Sequence, residues 1–225
     1  MSRPTDVRPA AVTLYFLPIG TRVPLKFGHE VLTHVTYVRV KMTVADRNGT
    51  RAEGWGETPL SVQWAWPGAL SYREREDALL ELTHAIAAAY ATFENFGHPL
   101  EAGHDFIQAE LPRLVAEVNR RRAPEYSIPW LAALVCCSAF DIALHDAYGV
   151  LHDAPIYATY NARWMNRDLA AFLEPAEESD VSFVGKYPAD YLMPPQEQLP
   201  AWHLVGGLDP VDETELTGNE PDDGY

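Results

Sequence analysis

Residues 34–44 read HVTYVRVKMTV, and this stretch decides the fold. Apolar side chains stand at the even positions from 38 to 44 and more polar ones at the odd positions from 37 to 43. This alternation predicts a β-strand with one buried face. Asp46-Arg47-Asn48-Gly49 follows, and Asn-Gly tolerates the positive φ angles of a tight hairpin. Arg51 to Glu57 is therefore predicted to return as the partner strand.

The chain on either side of this hairpin completes an α+β pattern. Ala11 to Leu17 is predicted to be a short strand, followed by a loop rich in turn residues from Pro18 to Gly28. The simplest arrangement of the three strands is an antiparallel meander. A helical bundle is predicted to follow it.

Three helices are predicted after the meander. Ser71 and Glu74 have the spacing of a capping box at the start of the first helix. Its buried stripe has three- and four-residue steps and consists of Leu79, Leu82, Ile86, Tyr90 and Phe93. The second helix is predicted from Phe106 to Arg122, with a start or kink at Pro112. The third, apolar almost all round, is predicted from Pro129 to Gly149.

The net charge of −15 argues against a nucleic-acid partner, whose phosphates require a basic surface. No run of about twenty apolar residues is evident, so no membrane partner is expected. Cys136 and Cys137 are adjacent, which disfavours a disulfide between them and predicts a reduced, cytoplasmic setting. From Glu174 to Tyr225 there are 13 acidic residues, one lysine and seven prolines, a composition that cannot support a core of its own.

Two motifs have both a structural and a functional interpretation. Trp64 and Trp66 follow the strand end Gly54-Trp55-Gly56-Glu57, and they either pack into the core or contact a ligand or partner. Asp141 and Asp146 lie five residues apart on the third helix, about 140° around its axis. They are poorly placed to act as an acid–base pair, which favours a structural role. Zinc, serine-nucleophile and phosphate-loop spacings are not found.

The order of these elements resembles the N-terminal capping domain of the enolase superfamily, in particular the mandelate racemase and muconate-lactonizing type. The resemblance spans residues 11–160. It rests on the Asn-Gly hairpin, on Gly-Trp-Gly-Glu at 54–57, and on Ala-Phe-Asp-Ile-Ala-Leu-His-Asp-Ala-Tyr-Gly at 139–149, followed by Pro-Ile-Tyr at 155–157. It implies a capping domain over a TIM-like barrel in which bound Mg²⁺ stabilises the enolate formed when an α-proton is abstracted from a carboxylic acid.

The family's Lys-x-Lys base and metal-binding acids lie on barrel strands. This chain has only Lys26, Lys41 and Lys186, none in such a pair, so the resemblance assigns it no catalytic and no metal-binding residue. Mg²⁺ is accordingly expected in a full-length parent and not in this chain. The parent would be a dehydratase, racemase or cycloisomerase acting on a small carboxylate, and it could be a homo-oligomer.

The resemblance also implies that two loops close over the barrel mouth and set substrate choice. They match residues 20–28, with Arg22, Lys26 and Phe27, and residues 60–67, with Trp64 and Trp66. A cation suits a substrate carboxylate, and tryptophans exclude water from the reacting centre.

We therefore predict a capping domain at 1–160, an acidic, proline-rich linker or insertion at 161–201, and the start of a barrel, incomplete in this chain, at 202–225, where Trp202 to Asp209 resembles its first strand. Such a portion is expected to be inactive by itself, and whether the chain takes part in catalysis is left open. The alternative is a non-catalytic binding or interaction module that uses the tryptophan-rich loop.

Overall fold

A computed structural model describes residues 3–27, 30–202, 205 and 208–220, and for Phe27 only the backbone. Three strands, β1 (Val7–Phe27), β2 (Glu30–Asp46) and β3 (Arg51–Pro59), form an antiparallel sheet in the order β1-β2-β3. Helices α1 (Val62–Ala65), α2 (Tyr72–Ala91), α3 (Pro99–Asn119) and α4 (Trp130–Leu151) follow. The α+β class, with a three-stranded meander and then helices, is confirmed.

The hairpin and the first long helix form from local signals, as predicted. Gly49 has a φ of 85°, and the Asp46 carboxylate accepts hydrogen bonds from the backbone N–H groups of Asn48 and Thr50. At α2 the Ser71 hydroxyl accepts from the Glu74 N–H, while the Glu74 carboxylate accepts from the Ser71 N–H. Both signals lie within five residues of chain, so no distant contact is needed to specify them.

The loop predicted from Pro18 is wrong, because β1 continues to Phe27 and pairs with an equally extended β2. Ile19 pairs with Val35, and Leu25 pairs with Leu32. The register shifts between Gly20 and Leu25, so four residues of β1, including Pro24, lie opposite one of β2. Proline is tolerated at such an irregularity on an edge strand, which explains why turn-forming residues do not end this one. Residues 18–27 and 30–36 therefore form a two-stranded ribbon.

Three helix limits also differ from the prediction, one of them the end of the second helix, which is at Asn119 and not at Arg122. The second helix begins at Pro99, seven residues before Phe106, because His98 acts as its N-cap and Glu101 completes a capping box. Histidine is not a common capping residue, so the start was missed. Pro112 lies inside this helix and does not begin it. The last helix continues through Gly149 to Leu151.

The core lies between one face of the sheet and the helices. Val38, Val40, Met42 and Val44 are fully buried, as their alternation predicted. A seam of small residues, defined here as Gly54 and Gly56 of β3 against Ala139, Ala143 and Ala147 of α4, brings strand and helix together. A Cβ placed on Gly56 would lie 2.0 Å from the Ala139 carbonyl oxygen, and one on Gly54 would lie 2.0 Å from the Ala147 nitrogen. Only glycine permits this approach.

Helix α4 has the length and apolar composition of a membrane-spanning helix, which the sequence analysis overlooked. Ten of its residues are buried in the core against the sheet and the neighbouring helices, while Trp130, Leu131, Ile142 and Val150 are exposed. Cys136 and Cys137 are among the buried residues as free thiols, and burial raises the pKa of each to about 12. Both thiols therefore stay protonated at neutral pH.

Residues 159–172 pack back onto the helices through buried polar contacts. Glu101, almost fully buried, accepts hydrogen bonds from the backbone N–H groups of Asn166 and Arg167, both at 2.6 Å. Arg3 donates to the Met165 carbonyl, and the Met165 side chain is buried. These contacts extend past residue 160, where the sequence analysis placed the end of the capping domain. The three-part division of the chain stays a prediction.

The described part of the C-terminal region after residue 173 has short turns and two 3₁₀ segments, at Pro188–Asp190 and Glu213–Glu215. Trp202 is 97% exposed. Four residues of the expected first barrel strand, His203, Leu204, Gly206 and Gly207, lie outside the described residues. That strand therefore remains a prediction.

Candidate functional site

The ribbon and the segment after β3 meet around an open cleft, here called the capping pocket. Beyond Pro59, which pairs with Tyr37, residues 60–64 take the place of β3 beside β2. The Leu60 N–H donates to the Thr36 carbonyl at 2.9 Å, and the Gln63 amide reaches the Val31 carbonyl at 3.5 Å. The pocket has a volume of about 250 Å³, and its apolar walls are Leu25, Leu32, Val35, Tyr37, Pro59 and Trp64.

The two tryptophans of this region have opposite environments. Trp64, on the single turn α1, is 60% exposed at the edge of the capping pocket. Trp66, two residues later, is only 5% exposed and belongs to the hydrophobic core. An indole that remains exposed beside an apolar cleft is available to a ligand or a partner, whereas a buried one supports the fold. The sequence pattern does not distinguish the two, and the structure brings only Trp64 to the pocket.

Helix α2 holds both sides of the pocket in place. The buried Arg75 guanidinium donates to the Trp66 carbonyl at 2.5 Å, which fixes the chain that follows α1. One residue later, the Glu76 carboxylate accepts a hydrogen bond from the Thr36 hydroxyl at 2.6 Å, which fixes the base of the ribbon. Consecutive residues of one helix therefore anchor both segments that line the pocket. Neither residue was singled out from the sequence, because their partners lie on other elements.

The predicted cations lie on the ribbon but do not line the capping pocket. Lys26 is exposed and pairs with Val31, next to the Leu25–Leu32 pair whose side chains form the wall. Because successive side chains of a strand point to opposite faces, Lys26 points away from the face of Leu25. Arg22 is exposed in the irregular stretch between Gly20 and Leu25. The predicted Phe27 side chain lies outside what the structure describes.

Leu25, Leu32 and Val35 are pocket residues that sequence reasoning missed. The prediction of a loop after Pro18 removed Leu25 from consideration, and it left residues 30–33 without a partner strand. The available signal was the apolar character of Leu25, Val31, Leu32 and Val35 on both sides of the unassigned stretch. Two apolar segments flanking a short connection favour a longer hairpin.

A second cleft contains the Asp141, His145 and Asp146 side chains of α4, beside Trp55. Asp146 accepts a hydrogen bond from the Trp55 N–H at 2.8 Å, so it satisfies an outward-facing donor of the edge strand β3. Burial raises the pKa of Asp141, and His145 opposes this. The Asp141 carboxylate lies against the backbone of α3, 2.4 Å from where a Cβ on Gly103 would stand. These contacts favour the structural role expected for both carboxylates.

The described residues do not offer a magnesium site. Within those ranges, no group of three or more His, Cys, Asp or Glu side chains is placed to hold a metal ion. Magnesium sites in proteins rely on carboxylate oxygens in near-octahedral geometry. The residues present therefore do not fit the metal that the resemblance implies, and no step through Mg²⁺ is assigned to them.

Several solved structures are similar to the chain. An enolase from Bradyrhizobium, solved with magnesium and mandelic acid, is 17% identical with a TM-score of 0.41, over 68% of this chain and 34% of its own. A dipeptide epimerase from Cytophaga hutchinsonii, with Mg and the dipeptide D-Ala-L-Val, is 18% identical (TM-score 0.39, 72% and 35%). An N-succinyl Arg/Lys racemase from Bacillus cereus is 18% identical (TM-score 0.39, 68% and 33%).

No protein-family model and no curated protein matches the sequence. The chain spans about a third of the length of the solved structures it matches. The names of these structures, an enolase, a dipeptide epimerase and a racemase, agree with the resemblance expected from the sequence motifs. At these identities and TM-scores the matches describe similarity alone.

Proposed function

We propose that this chain is the substrate-capping portion of a Mg²⁺-dependent enzyme that abstracts the α-proton of a carboxylic acid. The observation that carries the proposal is the convergence of two distant segments, the ribbon and α1, on one apolar pocket with Trp64 exposed at its edge. The same two segments match the closing loops of the family that the motif order resembles. Concave apolar pockets with few polar groups are the usual form of small-molecule sites.

In this function the chain would bind the substrate and exclude water from it. Trp64 and the Leu25–Leu32 pair would cover the end of the substrate that is remote from the reacting carbon. Excluding water strengthens the electrostatic interactions that stabilise a developing enolate. The base and the metal would come from a barrel, either continuous with this chain or supplied by another. The parent would racemise, dehydrate or cycloisomerise its substrate.

A second candidate is a non-catalytic interaction module. It is favoured by the exposure of Trp64 together with a second aromatic surface, where Tyr15 and Trp55 lie 5.8 Å apart on the open face of the sheet. Aromatic residues are enriched where proteins bind one another. In that case Trp64 would contact a partner protein and the pocket would have no small ligand.

The test is to express the chain from its full coding region, with any barrel domain encoded there, and to measure Mg²⁺-dependent deuterium exchange at the α-carbon of carboxylic acids. We expect exchange from the assembly and none from the chain alone. Trp64→Ala should lower exchange by about a hundredfold, because water then enters the covered site. Trp55→Ala is the matched control, since this tryptophan is 47% exposed but lies on the open sheet face, and it should leave exchange unchanged.

Three results would count against the capping function. The coding region could contain no barrel, the assembly could show no exchange, or Trp64→Ala could match Trp55→Ala while abolishing binding to a protein partner. The last result would support the interaction module.

A further inference from the structure

Among the residues that the structure describes, the walls of the capping pocket carry no charged side chain. Six of the eight described lining residues are apolar or aromatic, and the other two are Ser61 and Gln63. Gln63 directs its amide Nε2 to the Val31 carbonyl at 3.5 Å, so part of its polar capacity is directed at the backbone. An ionised group entering this pocket would lose water without meeting an opposite charge. Such burial is strongly unfavourable.

The nearest predicted cation lies on the other face of the ribbon. Leu25 and Leu32 form a cross-strand pair on the pocket side, and the next pair along, Lys26 and Val31, points to the opposite face. The alternation of the ribbon thus places an apolar pair at the wall and keeps the ammonium group of Lys26 away from it.

The pocket volume limits the size of the group it accepts. At about 250 Å³ the cleft is larger than a cavity of roughly 150 Å³ that holds benzene. It can therefore take one aromatic ring or a branched alkyl chain. Trp64, with its indole at the edge, can stack on a ring or pack on methyl groups.

We infer that the substrate carries an uncharged, apolar group at the end remote from its carboxylate, either a single ring or a branched alkyl chain. As a statement about the substrate, this inference rests on the proposed capping function. The chemistry of the pocket itself can be tested on the chain alone.

The test uses two probes that share an acetamido-carboxylate end, N-acetyl-leucine and N-acetyl-aspartate. They differ in side chain by an isopropyl group against a carboxylate of similar shape. Methyl NMR signals of Leu25, Leu32 and Val35 are followed in the full chain during titration. N-acetyl-leucine should shift them with an affinity at least about tenfold higher than that of N-acetyl-aspartate.

Two lysine variants test whether the preference between the probes comes from the wall of the capping pocket. Leu32→Lys places a cation in the pocket and should reverse the preference, so that N-acetyl-aspartate binds about tenfold more tightly than N-acetyl-leucine. Val31→Lys adds the same charge at the adjacent residue, which does not line the pocket, and should keep the original preference. Both positions lie in the ribbon, outside the core, so the fold is expected to hold, and amide spectra check this.

Equal binding of the two probes, a preference for N-acetyl-aspartate in the unchanged chain, or reversal by Val31→Lys would overturn the inference. These outcomes are separate from those of the exchange experiment. A pocket that prefers N-acetyl-leucine in a chain whose barrel assembly shows no exchange would leave the pocket chemistry intact and refute the capping function. If the assembly shows exchange but the pocket prefers N-acetyl-aspartate, the capping function stands and the inference about the pocket is refuted.

Discussion

The seam between β3 and α4 and the capping pocket are two contacts built on opposite principles. At the seam, two glycines bring a strand against the backbone of a helix, with no room for one more methyl group. At the pocket, large side chains line a cleft and one indole is left exposed. Close packing fixes the seam in a single arrangement, whereas the pocket has free surface for a further molecule. Position in the motif therefore does not by itself indicate function, since Gly54 and Gly56 of Gly-Trp-Gly-Glu serve packing.

The largest effect is expected from breaking the seam. Gly56→Ala places a Cβ 2.0 Å from the Ala139 carbonyl oxygen, so strand or helix must move. We expect a loss of more than about 3 kcal/mol and a fall in Tm of about 10 °C. Gly68→Ala is the control, because nothing lies within 4 Å of its Cβ position. Calorimetric melts of both variants measure the difference, and equal Tm values would show that the seam is not tightly packed.

The two tryptophans extend the comparison to neighbouring residues. Trp66→Ala should cost about 3–4 kcal/mol, because a buried indole leaves a cavity. Trp64→Ala should cost less than about 1 kcal/mol, since most of its indole is already in water. Urea unfolding of the two variants provides the values. A large loss of unfolding free energy in Trp64→Ala would show that Trp64 belongs to the core, and it would contradict its role at the pocket.

These results separate what the sequence specifies locally from what it does not. The Asn-Gly turn, the Ser71 capping box and the buried face of β2 were predicted because each depends on residues close in sequence. The choice between Trp64 and Trp66 depends on Arg75 and on the ribbon, which no local pattern reveals. The seam joins residues about 90 positions apart, and the ribbon was missed because Pro18, Gly20 and Pro24 suggested a loop. Prediction from local patterns failed at these positions because contacts between distant residues determine the structure there.

A pH titration tests the helical side of the molecule, where His98 is buried between Tyr148 and Thr159. Its Nδ1 accepts from the Leu100 N–H and its Nε2 contacts the Thr159 hydroxyl at 2.9 Å, so the ring is neutral. Burial, with smaller contributions from His145 and His152, lowers the pKa of His98 from 6.5 to about 3. The unfolded chain then binds a proton that the folded chain does not, between about pH 6.5 and pH 3.

The contribution of His98 to the free energy of unfolding is therefore complete above pH 6.5 and is lost as the pH falls towards 3. At pH 5 we expect a loss of about 2 kcal/mol of unfolding free energy from this group. The measurement is urea unfolding of the unchanged chain and of His98→Asn at pH 8 and pH 5. The difference between the two proteins isolates the contribution of His98 to the free energy of unfolding. Asp141 has a raised pKa, so its own contribution changes with pH in the opposite direction. An unchanged pH dependence in the variant would contradict the assignment.

The smallest effect is expected at the base of the ribbon. Glu76→Ala removes the acceptor of the Thr36 hydroxyl and should cost about 1 kcal/mol. Asp77→Ala, next to it but exposed and 3.9 Å from Arg73, should cost less than about 0.5 kcal/mol. Hydrogen exchange of the ribbon amides should rise in the first variant alone. Equal exchange in both would mean that α2 does not anchor the ribbon.

The hydrogen bond from Trp55 to Asp146 spans 91 residues of chain, and this distance has a consequence for biosynthesis. On the ribosome, β3 is made long before α4, so the nascent sheet has an open edge and lacks the cover that α4 supplies while residues 60–129 are added. Open edges and exposed apolar faces are the features that lead nascent chains to pair wrongly with one another. When α4 arrives, it covers the face through the seam and occupies an edge donor through Asp146. The sheet therefore gains this cover and this edge contact only after its last helix has been made.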